Sequence, residues 1–233
     1  MKKIIVAASL LTLALSTNAF SREYPQNPVL RPLTLSAGTV ELTGGYAYGK
    51  QHDKDVDVAF GGNVSYGLTD SLQLGLDGIT YSVIKDHSTG FELAAKAGIT
   101  GYYDDDLGDS LGLGSSLQAK QIINDNLAFT FSAGYTHWSI GNMDNKSEFD
   151  YSAGVLFNIA PKWTLAVDYT FRDLKDFKQS TANKASITLN YAYSANLDLG
   201  ISYIYSNFNE QYNNQALQET PEKMLLAYVS YRF

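Results

Sequence analysis

Charged side chains recur at regular positions along the chain, and their spacing is that of residues lining a polar interior. In these segments every second residue is charged, polar or small, and the residues between them are apolar or aromatic. Acids and bases could pair with one another and fill a narrow interior, or could line a permeation path that slightly favours cations. The residues are Glu41, Asp57, Asp77, Glu92, Lys96, Lys120, Asp150, Asp168, Arg172, Lys184, Asp198 and Arg232.

The three histidines, His52, His87 and His137, are the natural candidates for hydrolytic chemistry. A surface hydrolase needs a histidine beside a hydroxyl or carboxylate. His137 with Ser139, or His52 with Asp53 and Asp55, could be assembled in this way, but neither spacing is diagnostic. His52 and His87 are predicted to lie in extracellular loops, and His137 at the outer end of a strand. We therefore expect no enzyme and assign no catalytic residue.

Asp104-Asp105-Asp106, together with Asp109, is the one sequence feature that resembles a cation site. Hard cations prefer carboxylate oxygens, but this run lacks the alternating acids, the glycine and the later glutamate of a dedicated calcium loop. Cysteine is absent, which excludes thiol catalysis and cysteine-ligated metals. We expect a solvated acidic turn, and neither a metal nor a cofactor.

The elements that carry these residues alternate strictly, as strands between two different surroundings do. In 162–172, large apolar residues such as Trp163 and Tyr169 oppose polar ones such as Asp168. The same pattern recurs in 196–206. Aromatic residues cluster towards strand ends, as in the two interfacial girdles of a transmembrane barrel. Because only closure satisfies every backbone group in lipid, the prediction is an all-β fold with a single antiparallel transmembrane β-barrel.

The number of strands is ambiguous. We count eleven strand-like segments, but a barrel with both termini in the periplasm needs an even number. One segment of 72–123 is not a full strand, giving ten, or a hairpin is hidden there, giving twelve, or one short turn faces outward. Short periplasmic turns are predicted at 69–71, 124–126, 160–162 and 194–196, and longer extracellular loops at 50–55, 85–90, 139–147, 174–183 and 207–221. The segments are 39–49, 55–68, 72–84, 90–103, 110–123, 127–138, 148–159, 162–173, 184–193, 196–206 and 222–233.

The first part of the chain differs from the rest. Residues 1–19 have two lysines, an apolar stretch too short to span a bilayer, and a small residue, Ala19, at the expected cleavage site of a signal peptide. Residues 20–38 contain Pro25, Pro28 and Pro32, so they should be irregular, either in the periplasm or inside the lumen. The barrel is predicted over 39–233.

The last strand carries the most specific motif. Leu225, Ala227, Val229, Tyr231 and Phe233 alternate on one face and end the chain. This pattern resembles the C-terminal signature of Gram-negative outer-membrane β-barrel proteins. The resemblance implies a place in the cell outer membrane, contact with its lipid, and recognition by the barrel-assembly machinery, with Tyr231 and Phe233 as the assembly signal.

At family level the chain resembles small porin-like outer-membrane proteins. Residues 31–39, RPLTLSAGT, and 66–76, YGLTDSLQLGL, are also similar to segments of putative transporters linked to aromatic-degradation pathways. The resemblance implies passive passage of small solutes through a narrow polar lumen. The alternatives are a structural or surface-interaction protein with a plugged lumen, and a surface hydrolase. A net charge of −7 without a basic patch argues against nucleic acid as a partner.

Overall fold

The computed structural model describes residues 24–51, 54–58, 62–104, 108–140, 145–208, 211–212, 215–216 and 222–233. The predicted signal peptide, His52, Asp53 and Asp105-Asp106 lie outside these residues. Within them, the regular elements are β-strands and one short 3-10 turn, Pro28–Leu30. No helix in this part of the chain is long and apolar enough to cross a membrane. The all-β prediction is confirmed.

The strands form a closed antiparallel barrel of twelve strands. Two short segments, β2 (Lys54–Val58) and β3 (Asn63–Thr69), together make one of the twelve, because both pair with β1 (Val40–Gln51). Closure comes from β15 (Lys223–Arg232), which pairs with β12 (Leu197–Ser206) on one side and β1 on the other. The strands are β1 (Val40–Gln51), β2 (Lys54–Val58), β3 (Asn63–Thr69), β4 (Leu72–Gly75), β5 (Gly78–Asp86), β6 (Phe91–Asp104), β7 (Gly108–Asn124), β8 (Leu127–Ile140), β9 (Lys146–Ala160), β10 (Trp163–Lys175), β11 (Thr181–Ala192), β12 (Leu197–Ser206) and β15 (Lys223–Arg232), while β13 (Gln211–Tyr212) and β14 (Gln215–Ala216) pair with each other before β15.

A hidden hairpin resolves the ambiguity in strand number. The predicted single segment 72–84 is wrong, because Leu76 and Asp77 form a tight turn between β4 and β5. Gly78 has a φ of +137°, and a Cβ there would lie 2.2 Å from the Ala97 carbonyl oxygen. Only glycine suits such a position, which is why the chain can reverse within two residues. The twelve-strand alternative is confirmed.

The same hairpin changes the side on which one loop lies. Phe233 and the first strand share one end of the barrel, where the Phe233 amide donates to the Val40 carbonyl at 3.0 Å. Short turns, such as Asp70-Ser71 and Pro161-Lys162, also lie at this end, which we call the periplasmic end. Residues 87–90 lie there too. Their prediction as an extracellular loop is therefore wrong, and exposed His87 is a periplasmic residue.

The β4–β5 hairpin extends less far towards the outer end of the barrel than the neighbouring strands do. The ladder between β5 and β6 stops at the pair Ile79–Ala97, while β6 continues to Asp104 paired with β7. The turn packs directly on β6, because a Cβ at Gly98 would lie 2.0 Å from the Asp77 carbonyl oxygen. The outer half of β6 thus has no ladder partner on this side among the described residues.

The two faces of the wall have opposite chemistry. In β12 the outward residues Ile201 and Tyr203 are 55% and 46% exposed, whereas the inward residue Ser202 is 5% exposed. Large apolar side chains are exposed in this way on nearly every strand. Such a surface suits lipid, and the interior is polar, as in a transmembrane barrel.

Two adjacent glycines in β1 make a matched test of the closing ladder. A Cβ at Gly45 would lie 2.3 Å from the Ala227 carbonyl oxygen of β15, whereas a Cβ at Gly44 would have nothing within 4 Å. We expect Gly45→Ala to destabilise the barrel by about 1–3 kcal/mol through overpacking. Gly44→Ala should leave the urea midpoint of the folded protein in lipid vesicles unchanged. Equal midpoints for the two variants would contradict the register of this ladder.

Candidate functional site

Residues 24–37, which we call the plug segment, lie inside the periplasmic end of the barrel. The segment turns once at Pro28–Leu30, where the Asn27 side chain accepts from the Val29 amide at 2.9 Å. Val29 and Thr34 are 0% and 1% exposed. Of the two places expected for the extension, the structure thus shows the lumen.

The plug segment contacts strands around the whole circumference of the wall. Glu92 of β6 accepts from the Leu33 amide at 2.8 Å, and Lys120 of β7 donates to the Arg31 carbonyl at 2.6 Å. Further round, Asn27 accepts from Asn158 of β9 at 2.9 Å, and Gln26 donates to the last residue of β11, Ala192, at 2.9 Å. Gln73 of β4 accepts from the Leu35 amide at 2.9 Å. The periplasmic opening is therefore spanned from side to side.

Four charged side chains fix the plug segment to the strands that close the barrel. Arg31 binds Asp198 of β12 with two hydrogen bonds of 2.5 and 2.9 Å. Arg232 of β15 lies 2.7 Å from Asp198 and 2.7 Å from Glu41 of β1. Glu41 and Arg232 stand opposite each other in the closing ladder. We call these residues the seam cluster; its two acids and two bases balance.

Tyr24 covers the seam cluster. Its ring lies 5.6 Å from the Arg31 guanidinium and 4.9 Å from that of Arg232. Burial raises the pKa of Tyr24 to about 12, so the phenol is neutral and does not alter the charge balance. Both cations thus gain a cation–π contact in place of water.

Above the plug segment the lumen widens into a cavity of about 400 Å³. Its wall is made of charged and small polar side chains, with glycines at 98, 114 and 134 that leave room. Lys96, Asp150, Thr170, Arg172 and Lys184 are among the residues that line it. The cavity reaches Gly98 and Ile99, beside the β4–β5 hairpin. An interior of this composition accommodates water and polar solutes.

The charges on the cavity wall are paired unequally. Arg172 binds Glu148 in a buried ion pair and lies 3.5 Å from Asp150 through its Nε. On the opposite side Lys96 pairs with Asp77. Asp150 Oδ1, the atom that faces Arg172, is buried and accepts no hydrogen bond. The wall therefore contains close ion pairs and one looser pair.

An apolar cluster closes part of the outer end. Leu174, Ala182 and Phe208 pack together, all at most 3% exposed, with Phe177 against them. The Phe208 ring lies 4.7 Å from the Arg172 guanidinium, and the Phe177 ring 4.9 Å from Lys146 Nζ. None of the four apolar residues lines the cavity, but Phe208 covers Arg172, which does.

The structure distributes the predicted interior residues over two regions. Glu41, Glu92, Lys120, Asp198 and Arg232 lie at the periplasmic end and contact the plug segment or the seam cluster. The cavity and its surroundings hold a second set: Asp77, Lys96, Asp150, Asp168, Arg172 and Lys184. Asp77 is in the β4–β5 turn rather than on a strand. Asp57 stands opposite Tyr48 in the β1–β2 ladder, and its side chain lies outside the described part of the structure.

Two important charges were missed by the sequence analysis. Glu148 lies two residues before Asp150 and therefore faces the same side of β9. Extending the alternating pattern towards the start of β9 would have identified it as an inward-facing charge. Arg31 lies in an irregular segment without parity, and its partner Asp198 is 167 residues away. No local signal marks such a residue.

The predicted assembly residues, His87 and His137 lie outside the lumen. Tyr231 and Phe233 are 41% and 48% exposed on the outward face, with ring centroids 4.8 Å apart. His137 shares the outward parity of Tyr135 at the outer end of β8. In the described ranges, no group of three or more histidines and acids is placed to hold a metal ion.

Comparison with solved structures supports the architecture. The NanC porin aligns with a TM-score of 0.55 and 15% identity over 82% of this chain and 98% of that one. The COG4313 outer membrane channel from Pseudomonas putida F1 aligns with a TM-score of 0.57 and 12% identity over 84% of this chain and 95% of that one. At these identities the likeness shows the fold alone. No curated protein sequence matches significantly.

A family model, described as the outer membrane protein beta-barrel domain, matches residues 7–194. The match covers most of the chain, including the plug segment and all but the last two strands of the wall. It agrees with the closed barrel, the apolar outward face and the polar lumen. The chain is a member of the outer membrane protein β-barrel domain family, and its place is the outer membrane.

Proposed function

We propose that the protein is a passive channel for small solutes, with a narrow polar lumen that the plug segment narrows further at the periplasmic end. The observation that carries the proposal is the cavity of about 400 Å³ lined by charged and small polar side chains. A barrel that served only as a membrane anchor has no need of this space, since side chains can fill the interior of a narrower barrel of about eight strands. Fold likeness to a porin and an outer-membrane channel supports a channel in general.

The charges of the wall favour weak ion selectivity. The cavity is lined by three acids, Asp77, Glu148 and Asp150, and by three bases. Asp168 adjoins it on β10 and adds one acid. We therefore expect a slight preference for potassium over chloride, and passage of neutral or zwitterionic molecules without strong discrimination.

A second candidate is a structural or surface-interaction protein whose lumen stays shut. The contacts of the plug segment with β4, β6, β7, β9, β11 and β12 favour it, because each is a hydrogen bond or ion pair that opening must break. The two candidates differ in one property, which is conduction.

Planar-bilayer recording tests the proposal. The folded protein, identified by the faster gel mobility of its unboiled form, should produce discrete conductance steps in potassium chloride that are smaller than those of a wide trimeric porin. Liposomes that contain it should swell in solutions of small sugars or amino acids. Boiled protein is the control. No current above leak, from either the intact chain or a chain without the plug segment, would support the second candidate instead.

A further inference from the structure

Two interior charges stand out because each feels the opposite charge of the other but neither makes a hydrogen bond or a close ion pair within the described residues. The seam cluster, the Arg172–Glu148 pair and the Lys96–Asp77 pair each join opposite charges. Lys184 of β11 and Asp168 of β10 make no hydrogen bond and no ion pair within these ranges. Charged groups inside a protein are normally paired or hydrogen-bonded, so an unpaired acid and base on neighbouring strands call for an explanation.

The register places the two charges close together without letting them meet. Lys184 stands opposite Thr170 in the β10–β11 ladder, and Asp168 is the next inward residue of β10. Such diagonal neighbours have Cα atoms about 7–8 Å apart. The Thr170 hydroxyl is bound to Ser152 at 2.8 Å, so it does not bridge them.

Gly154 explains why Asp168 turns away from the lysine. A Cβ at Gly154 of β9 would lie 2.1 Å from Asp168 Oδ1, so the carboxylate rests over this glycine. Lys184, in contrast, lines the cavity from β11, on the other side of β10. Asp168 thus leans towards β9, whereas Lys184 enters the cavity from β11, and the two do not form an ion pair. Asp150 on the β9 side is already paired with Arg172, whose Nε lies 3.5 Å from Asp150 Oδ1.

We propose that Lys184, which lines the lumen cavity, and Asp168, which adjoins it on β10, form a binding site for a small zwitterionic solute that carries one ammonium and one carboxylate. This inference rests on the proposed function only for its route of access. The solute carboxylate would accept from Lys184, and its ammonium would donate to Asp168. A singly charged ion gains one of these attractions and suffers the opposing repulsion. The cavity of about 400 Å³ has room for such a molecule, since about a dozen waters at ~30 Å³ each would fill it.

Calorimetric titration of the full-length protein in detergent tests the site without requiring conduction. The probes are 4-aminobutanoate, butanoate and butylammonium, which share a chain and differ only in charge. We expect 4-aminobutanoate to bind more tightly than either singly charged probe, and more weakly as salt concentration rises. If 4-aminobutanoate binds no better than the stronger of the other two, the proposal is overturned, and this comparison needs no variant.

Variants then assign the two ends of the solute. Lys184→Met should weaken binding of 4-aminobutanoate and butanoate several-fold and leave butylammonium unaffected or tighter. Asp168→Asn should weaken binding of butylammonium several-fold and leave butanoate unaffected or tighter. Lys162→Met, in the exposed periplasmic turn, is the matched control. Unchanged binding in both site variants, with normal gel mobility, would also overturn the site. Binding without any single-channel current would overturn the proposed channel function but not the binding site. Current without binding of 4-aminobutanoate would overturn the binding site but not the channel function.

Discussion

Deletion of residues 24–37 should raise the single-channel conductance several-fold. The plug segment spans the periplasmic opening and bonds to six different strands, so it is the narrowest part of any path through the lumen. Its removal widens the connection between the cavity and the periplasm. The measurement is planar-bilayer recording in potassium chloride, together with swelling of liposomes loaded with sugars of increasing size.

A point variant separates loosening of the plug segment from damage to the barrel. Arg31→Ala removes both hydrogen bonds to Asp198 but leaves that acid paired with Arg232. We expect brief openings to the conductance of the deleted protein. Ala37→Ser, at an exposed position of the same segment, is the control. If the deleted protein folds normally and conducts no better than the intact chain, the plug segment is not the barrier.

Asp198→Ala should cause the largest loss of stability of any single substitution at the periplasmic end. Asp198 is 2% exposed and neutralises both Arg31 and Arg232. Its removal leaves two buried guanidinium groups with Glu41 as their one acid, and breaking a buried pair from one side costs about 3–5 kcal/mol. The measurement is the urea midpoint in lipid vesicles and the temperature at which unboiled protein loses its fast gel mobility.

Two comparisons make this prediction specific. Asp173→Ala removes the partner of Lys175 in an exposed pair, and should change stability by no more than about 1 kcal/mol. Asp198→Ala combined with Arg31→Met removes one of the two orphaned cations and should recover part of the loss. If the double variant were no more stable than Asp198→Ala alone, charge imbalance would not be the cause.

The sequence was sufficient for the barrel because alternation is a local property. In β10, Trp163, Val167 and Phe171 face lipid as their parity predicts, while Asp168 and Arg172 face inward. A two-residue turn inside an apolar run was not visible, since Leu74 and Leu76 continue the alternation across it. The residue that permits this turn is Gly78, but the sequence does not show that its φ must be positive.

The candidate site was predictable only in its residue types. Inward charges such as Lys96 and Lys184 follow from parity, but their pairing depends on which strands are neighbours and in what register. Phe208 over Arg172 shows the difficulty further, because an aromatic residue after a strand gives no sign that its ring turns inward. The plug segment has no periodicity from which a position could be derived.

The covalent link between the plug segment and β1 has a kinetic consequence. The segment joins the wall through Gly38 and Thr39, and its other end has no strand to hold it in the described structure. A segment released from the lumen thus stays tethered within a few residues of its docking place, at an effective concentration in the millimolar range. Re-closure is then a first-order event that does not depend on how much protein is in the membrane. Each barrel would open and shut independently of all others, and the fraction of time spent open would report the tether and the contacts of the plug segment with the wall.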